Sequence, residues 1–444
     1  MGVFAVFNCI NASELAYYGL HALQHRGQEG CGICTTNSSD FYRERGEGLV
    51  IEIFNEKKLS KLKGDCAIGH VRYSSVGGGL ENVQPFLFRH HTGDFSLALN
   101  GNLINRNPLR RSLEKQGSIF QSSSDAEILA HLMKMNKRKN RIEAIKETLA
   151  SIDGAYAFLI QTRDTLYVCR DRNGLKPLSL GKLNGGYIIS SETCAFEAIG
   201  AAFIRDIAPG EMLILEKGKE PQSIFFAENS SHKMCAMEII YFARPDSEIE
   251  GFNVHTFRKN CGKYLAQLAP IDADLVVGVP DSSISGAIGY AEESGIPYEI
   301  GLIKNKYIGR TFIQPSQELR EKGVRLKLSP VRSLISGKKV VLLDDSIVRG
   351  TTCKRIVRML KDAGAKEVHV RICCPPMTHP CYYGVDTSTH NELISSKLSV
   401  EEVRQTIEAD TLFYLPKEYL LKAGNRKELC LACYNGEYPT RLYK

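Results

Sequence analysis

Val340-Val341-Leu342-Leu343-Asp344-Asp345-Ser346-Ile347-Val348-Arg349-Gly350-Thr351-Thr352 decides the fold of this chain. Its first four residues are apolar without alternation, the pattern of a strand buried on both faces of a parallel sheet. Two carboxylates follow where the strand emerges, and open α/β sheets bind ligands at the carboxyl ends of their strands. Adjacent acids repel unless a cation or a polyhydroxyl ligand occupies them. Hydroxyls, backbone amides and a Gly come next, and then a helix begins. Amides at a helix start, with the dipole behind them, hold a phosphate. Acids for ribose hydroxyls or Mg²⁺ beside a phosphate cradle fit a sugar phosphate. A solvated turn with a Thr cap would account for a lone Asp-Asp, but not for the full run of thirteen residues.

The same rhythm extends on both sides of this run. Leu275-Val276-Val277-Gly278-Val279 is a second continuous apolar strand, followed by a polar loop and a helix over Ile284 to Ser294. A helix from about Cys353 to Ala363 leads to a third strand, Glu367-Val368-His369-Val370. Buried strands alternating with helices predict a doubly wound parallel sheet.

Before Glu228 the texture differs. Short apolar strands such as Ala67 to Val71, Leu97 to Leu99 and Gly186 to Ile189 alternate with Gly and Asn turns, and helical stretches such as Asp125 to Met135 and Ile142 to Ile152 are few. That pattern predicts stacked sheets flanked by helices. The polar stretch Asn229-Ser230-Ser231-His232-Lys233 marks the boundary, giving domains 1–228 and 229–444.

The 444 residues are too many for one ordinary core. With 43% apolar and 24% charged residues, the composition is that of a soluble globular protein. No run of eighteen apolar residues appears, so no membrane span is expected. The apolar start Met1-Gly2-Val3-Phe4-Ala5-Val6-Phe7 lacks a basic leader and reads as a first strand. The net charge of +7 is spread along the chain, and its densest run, Lys137-Arg138-Lys139, reads as a solvated helix end. An anionic small substrate fits this modest basicity, and nucleic acid is not expected. Fourteen cysteines without a secretory signal point to a reducing, cytoplasmic compartment.

The loop Val340 to Thr352 resembles the signature of type I phosphoribosyltransferases. The whole chain, Met1 to Lys444, resembles the glutamine phosphoribosylpyrophosphate amidotransferase family. The resemblance implies that Asp344 and Asp345 contact the ribose hydroxyls and Mg²⁺, and that Ser346, Arg349, Gly350, Thr351 and Thr352 hold the 5′-phosphate. Ser282, in Val279-Pro280-Asp281-Ser282-Ser283, matches a family position near the metal and the pyrophosphate. Gly301 to Phe312 resembles the family's closing loop, in which Lys304 and Arg310 would meet the pyrophosphate.

Cys430-Leu431-Ala432-Cys433 is a C-x-x-C pair, weak evidence of a metal by itself. The iron–sulfur branch of the family carries cluster cysteines at the positions of Cys235, Cys381, Cys430 and Cys433. Four thiolates suit a [4Fe–4S] cluster, and zinc would accept them too; the resemblance favours the cluster, in a structural role that ties together the two ends of the second domain. A second C-x-x-C, Cys31-Gly32-Ile33-Cys34, lies in an apolar strand setting where the family has plain apolar or small residues, and these thiols, like Cys373 and Cys374, read as packing groups.

The first half resembles a class II glutamine amidotransferase of the N-terminal nucleophile type, an αββα fold. In such domains an N-terminal Cys attacks the amide and its free α-amine serves as base. The expected start is Cys-Gly-Val-Phe; this chain has Met1-Gly2-Val3-Phe4, in a register fixed by Tyr17 to Gly30. A thioether cannot be deprotonated, and Cys9 is internal, so the glutaminase half is expected to be absent or crippled. A replaced Cys, a natural relative that uses free ammonia, and a misassigned start all remain open. The rest of the pocket is retained: Arg72 for the glutamine carboxylate, Asn100 and Gly101 for the oxyanion hole, Asp125 for the substrate amine, and Ser74 to Gly79 as a closing loop. Leu99 stands where the family commonly has His.

The resemblance therefore implies an enzyme of de novo purine synthesis. It would form 5-phosphoribosylamine from phosphoribosyl pyrophosphate with Mg²⁺, using ammonia that is free or derived from glutamine. AMP and GMP would be its feedback inhibitors and a homotetramer or dimer its assembly. Two other readings stand beside it. One is a catalytically dead sensor of purine nucleotides, which would not need the acid pair. The other is a sugar-phosphate aminating enzyme, for which a sugar-isomerase domain is missing.

Overall fold

The computed structural model describes residues 1–73, 77–91, 93–135, 140–227, 230–305, 328–387 and 389–443. Arg310, most of the Gly301 to Phe312 loop, part of the Ser74 to Gly79 loop, the Lys137 to Lys139 run, and Glu228 and Asn229 at the expected boundary lie outside them.

Two antiparallel sheets face each other in the first half. The first has seven strands in the order Ala202–Asp206, Ser179–Leu183, Gly186–Ser190, Gly2–Phe7, Cys66–Arg72, Gly30–Thr36, Phe41–Glu47. The second has six, in the order Gln222–Phe225, Glu211–Glu216, Thr165–Arg170, Gly154–Gln161, Phe95–Leu103, Phe86–Phe88. Side chains alternate across a strand. Val3, Ala5 and Phe7 therefore enter the core between the sheets with Ile68, Ala98, Leu159 and Val168, while Phe4 and Val6 meet Ala16 and Leu20 of the helix Ala12–Ala22 on the outer face. On the far side Leu97 and Leu99 pack against the helices Asp125–Met135 and Arg141–Ser151. Helix, two sheets and helices form the αββα stack that alternating strands and few helices predicted. The expected strand through Cys31 and Cys34 is Gly30–Thr36, and both thiols are fully buried on opposite faces of it.

The second half contains a parallel sheet in the order Leu275–Gly278, Lys339–Asp344, Glu367–Ile372, Thr411–Tyr414. The helix Ile284–Ser294 has the predicted bounds, and the helix after the loop is Thr351–Asp362. The long helix Val254–Leu268 packs tightly on Ile284–Ser294: Gly262 lies so close to the other backbone that a Cβ would come 1.8 Å from the Gly286 carbonyl. No described helix is long and apolar enough to cross a membrane.

Candidate active site

Met1 stands at the head of a central strand, and Arg26 holds it there: the guanidinium Nε donates to the Met1 carbonyl at 3.0 Å. Next to it, Asn100 lies in the strand Phe95–Leu103, 2% exposed, with its amide 3.4 Å from the Ser191 hydroxyl, which itself accepts from the Val3 N–H at 2.9 Å. Gly101 follows at φ +148°, and a Cβ there would lie 2.0 Å from the Ala155 carbonyl, so only glycine fits. Arg72 is buried and donates to the Gly77 carbonyl. Asp125 opens its helix, accepts from the Leu103 N–H at 2.8 Å, and faces Arg106 at 3.3 Å. Burial pushes its carboxyl up against the opposing pull of Arg106. Met1, Arg72, Gly101 and Asp125 thus line one small pocket.

Asn82 and Gln84 share that pocket, and sequence reasoning missed them. The Asn82 oxygen accepts from the Ser123 N–H at 3.0 Å and its amide donates to the Gly78 carbonyl at 2.7 Å, while Gln84 accepts from the Leu99 N–H at 2.6 Å. The only signal for them was a pair of amides two residues apart before Pro85. His70 Nε2 lies 3.0 Å from the Leu99 carbonyl, which can only accept, so Nε2 carries the ring proton. Burial, then the charges of the residue-1 amine and Arg72, drive this imidazole down to about 3, so it is neutral. Burial, with Arg26 and Lys176 nearby, likewise drives the Met1 amine to about 4. An amine held here is unprotonated at neutral pH.

At the other site Asp344 ends its strand and Asp345 follows. The pair is buried where the strand emerges, each carboxylate residue only 7% exposed. Ser283 donates to Asp344 at 3.2 Å, and Ser282 and Ser346 donate to Asp345, the latter at 2.6 Å. Burial drives both carboxyls up, Asp344 further through the charge of Asp345. Gly350, at φ +76°, precedes the helix Thr351–Asp362 without any side-chain cap, leaving the first amides of that helix to a ligand. Arg349 lines the cavity at this site, and its guanidinium pairs with Glu392 at 2.7 Å. Lys304 reaches Asp281 at 2.6 Å, at the cavity edge.

One cavity of about 750 Å³ joins the two sites. Its walls carry Met1, Asn100 and Gly101 at one end and Ser282, Asp344 and Thr351 at the other. The sequence assigned these to separate domains and offered no sign that they share a space.

Cys235, Cys430 and Cys433 are buried, and Cys381 is partly so. Cys235 bridges Cys430 in parallel, so the start of the second half meets its end. Burial raises all four thiols, and each of Cys235, Cys430 and Cys433 is raised further by others of the set. All fourteen cysteines are free. Among the described residues, no three His, Cys, Asp or Glu side chains gather as the ligands of a single metal ion.

Residues 70–198 match the glutamine amidotransferase domain family, and residues 254–403 match the phosphoribosyl transferase domain family. The chain is 56% identical to the amidophosphoribosyltransferase of Bacillus subtilis (strain 168), over all of its own length and 94% of that protein. It superposes with a TM-score of 0.96 on a solved structure of glutamine phosphoribosylpyrophosphate amidotransferase from B. subtilis complexed with ADP and GMP, at 56% identity, covering 100% of this chain and 98% of that one. A structure of the allosteric regulatory enzyme of purine biosynthesis gives the same TM-score and identity, covering 100% of this chain and 97% of that one.

Proposed function

Because the chain belongs to the amidophosphoribosyltransferase family, we propose that it forms 5-phosphoribosylamine from phosphoribosyl pyrophosphate, with the glutaminase half impaired at Met1. The catalytically silent sensor reading is set aside, since the relatives over the whole length are enzymes. The observation that carries the proposal is the single cavity running from residue 1 to the acid pair.

At the transferase end, ammonia attacks C1 of the ribose with inversion. The N–C1 bond forms, the bond from C1 to the pyrophosphate oxygen breaks, and the nitrogen sheds one proton. Asp344 and Asp345 would hold the ribose hydroxyls and Mg²⁺, with Ser282 beside them. Two buried, uplifted carboxyls fit a cation, because only an added positive charge lets both ionise. When bound, Mg²⁺ neutralises the diphosphate leaving group. Ser346, Gly350, Thr351 and Thr352 hold the 5′-phosphate at the uncapped helix start, with Arg349, Lys304 and Arg310 as further anion partners.

At the other end Arg72 and Asp125 bind the two charged ends of the glutamine backbone, and Asn100 with Gly101 forms the oxyanion hole. Met1 offers no thiolate, so no acyl intermediate forms there. Cys235, Cys381, Cys430 and Cys433 suit a [4Fe–4S] cluster better than zinc. What favours the cluster is the resemblance to the family's iron–sulfur branch, and four thiolates are the ligand set such a cluster takes. We place the domain boundary at 228/229, the protein in the cytoplasm as a homotetramer or dimer, and AMP and GMP as its feedback ligands; the B. subtilis relative is complexed with ADP and GMP.

The test is phosphoribosylamine formation with Mg²⁺, run with glutamine and with an ammonium salt. Ammonium supports turnover and glutamine does not. Met1→Cys with a free α-amine restores glutamine use by several orders of magnitude; Leu99→His adds to it if the pocket needs that imidazole. Glutamine-dependent turnover by the Met1 chain, or none with ammonium, overturns the proposal.

A further inference from the structure

Consecutive residues of the loop that leads into the helix Thr351–Asp362 are gripped by one short segment from further along the chain. The Ile394 N–H donates to the Val348 carbonyl at 2.9 Å. The Ile394 side chain lies against Gly350, its Cδ1 2.8 Å from where a Cβ would stand. Between these contacts the Arg349 guanidinium donates through Nη2 to the Glu392 carboxylate at 2.7 Å. Leu393, between the two gripping residues, is fully buried in the core of the second half. The segment therefore has a fixed anchor, and the residues on either side of it reach the loop.

Arg349 is part of the wall of the shared cavity, whereas Glu392 lies outside that wall. The pair uses Nη2, and a guanidinium carries N–H donors on its other nitrogens that an anion can take. For the fold the pair matters little: the Arg349 side chain is 55% exposed and that of Glu392 30%, and ion pairs so open to water add little stability. What the pair supplies is order. An arginine that swings freely on its stem gives up rotamer freedom when it meets a ligand, whereas one already held has given it up on folding.

We infer that Glu392 is a positioning residue for the 5′-phosphate of the substrate: it holds Arg349 pre-set at the cavity wall while Ile394 fixes the loop on either side of that arginine. The carboxylate acts from behind the wall through the guanidinium and does not itself meet the phosphate. This rests on the reading under Proposed function, which takes the loop Ser346 to Thr352 as the phosphate cradle.

The test titrates the full chain with ribose 5-phosphate, which carries only the phosphate in question, and with pyrophosphate and Mg²⁺, which probe the opposite end of the substrate. In Glu392→Ala the Kd for ribose 5-phosphate rises about threefold to tenfold, the cost of ordering one long side chain. The KM for phosphoribosyl pyrophosphate rises with it, while the ammonium-dependent kcat, the Kd for pyrophosphate and the Tm stay near parent values. Glu392→Gln keeps an oxygen that accepts from Nη2 and so keeps parent binding. Arg349→Ala weakens ribose 5-phosphate further, and adding Glu392→Ala to it changes nothing more, because Glu392 acts only through Arg349. Unchanged or tighter ribose 5-phosphate binding in Glu392→Ala, an equal loss of pyrophosphate binding, a lowered Tm, or full additivity in the double variant overturns the inference. A parent that shows this pattern of binding without ammonium-dependent turnover would leave Glu392 its role and overturn the catalytic reading instead.

Discussion

Asp344 and Asp345 are uplifted by burial in the folded chain, whereas a carboxyl in the unfolded chain titrates near about 4. As pH rises above that value the unfolded chain gives up its protons while the folded chain retains them. Stability contributed by the pair is thus present at low pH and lost upward toward the folded pKa, and at neutral pH the pair costs stability. Asn has the same shape without the charge. Asp344→Asn and Asp345→Asn are therefore expected to raise the Tm at pH 7.5, on the order of 2–4 °C for each kcal/mol recovered. The gain vanishes near pH 4, and ammonium-dependent transfer falls by about 100-fold or more. Mg²⁺ raises the Tm of the parent but not of the variants. Thermal melts at the two pH values check this; a lowered Tm at pH 7.5 or near-parent turnover would refute the role. The acids and their neighbours were legible in the sequence, because their chemistry is local. Their burial was not, because it depends on Ser282 and Ser283, more than sixty residues away, closing over them.

The element proposed to face the phosphate is the helix Thr351–Asp362. Its entry residue Gly350 has φ +76°, and a Cβ there would sit 2.8 Å from the Ile394 Cδ1, the tip of a side chain that can move. Gly350→Ala is thus tolerated by the fold at a cost of about 1 kcal/mol, but it tilts the uncapped amides. A KM for phosphoribosyl pyrophosphate raised about tenfold with kcat little changed is the expected result, since orientation of the bound phosphate and not the chemical step is disturbed. Steady-state kinetics with ammonium decide it, and an unchanged KM would remove the helix start from the binding site. Elements of this kind are the best-read part of the sequence: Ile284–Ser294 and Asp125–Met135 have the bounds that their periodicity predicted. The π-helical turn was not readable, because Glu238-Ile239-Ile240-Tyr241-Phe242 carries no periodic mark and its hydrogen bonding is imposed by Arg258 from another helix.

For the whole molecule the cysteine set matters most. Cys235 meets Cys430 where the two ends of the second half come together, so a cluster there closes a long loop of chain and contributes binding energy to the folded state. Anaerobic purification is expected to give a brown protein with about four irons per chain. Chelation of the iron, or Cys235→Ser, lowers the Tm and bleaches the colour together. Cys31→Ala removes a buried but unshared thiol and costs about 1 kcal/mol without loss of iron. Iron analysis and melts test this; a colourless, fully folded protein would refute the cluster.

The parallel half was settled by the sequence alone, since a run such as Val340 to Leu343 has no polar face to offer solvent; the acids and the phosphate cradle proposed beside them were legible there too, since they lie within thirteen consecutive residues. The tertiary structure alone decided that both sites open into one cavity, that Asn82 and Gln84 line the small pocket beside Met1, Arg72 and Asp125, and that Arg26 finds Glu238 at a separation of 212 residues. A buried charge and a solvated one are written with the same letter. Which of them is desolvated, and which partner then holds it, is fixed only when the fold brings distant segments together and excludes water from between them.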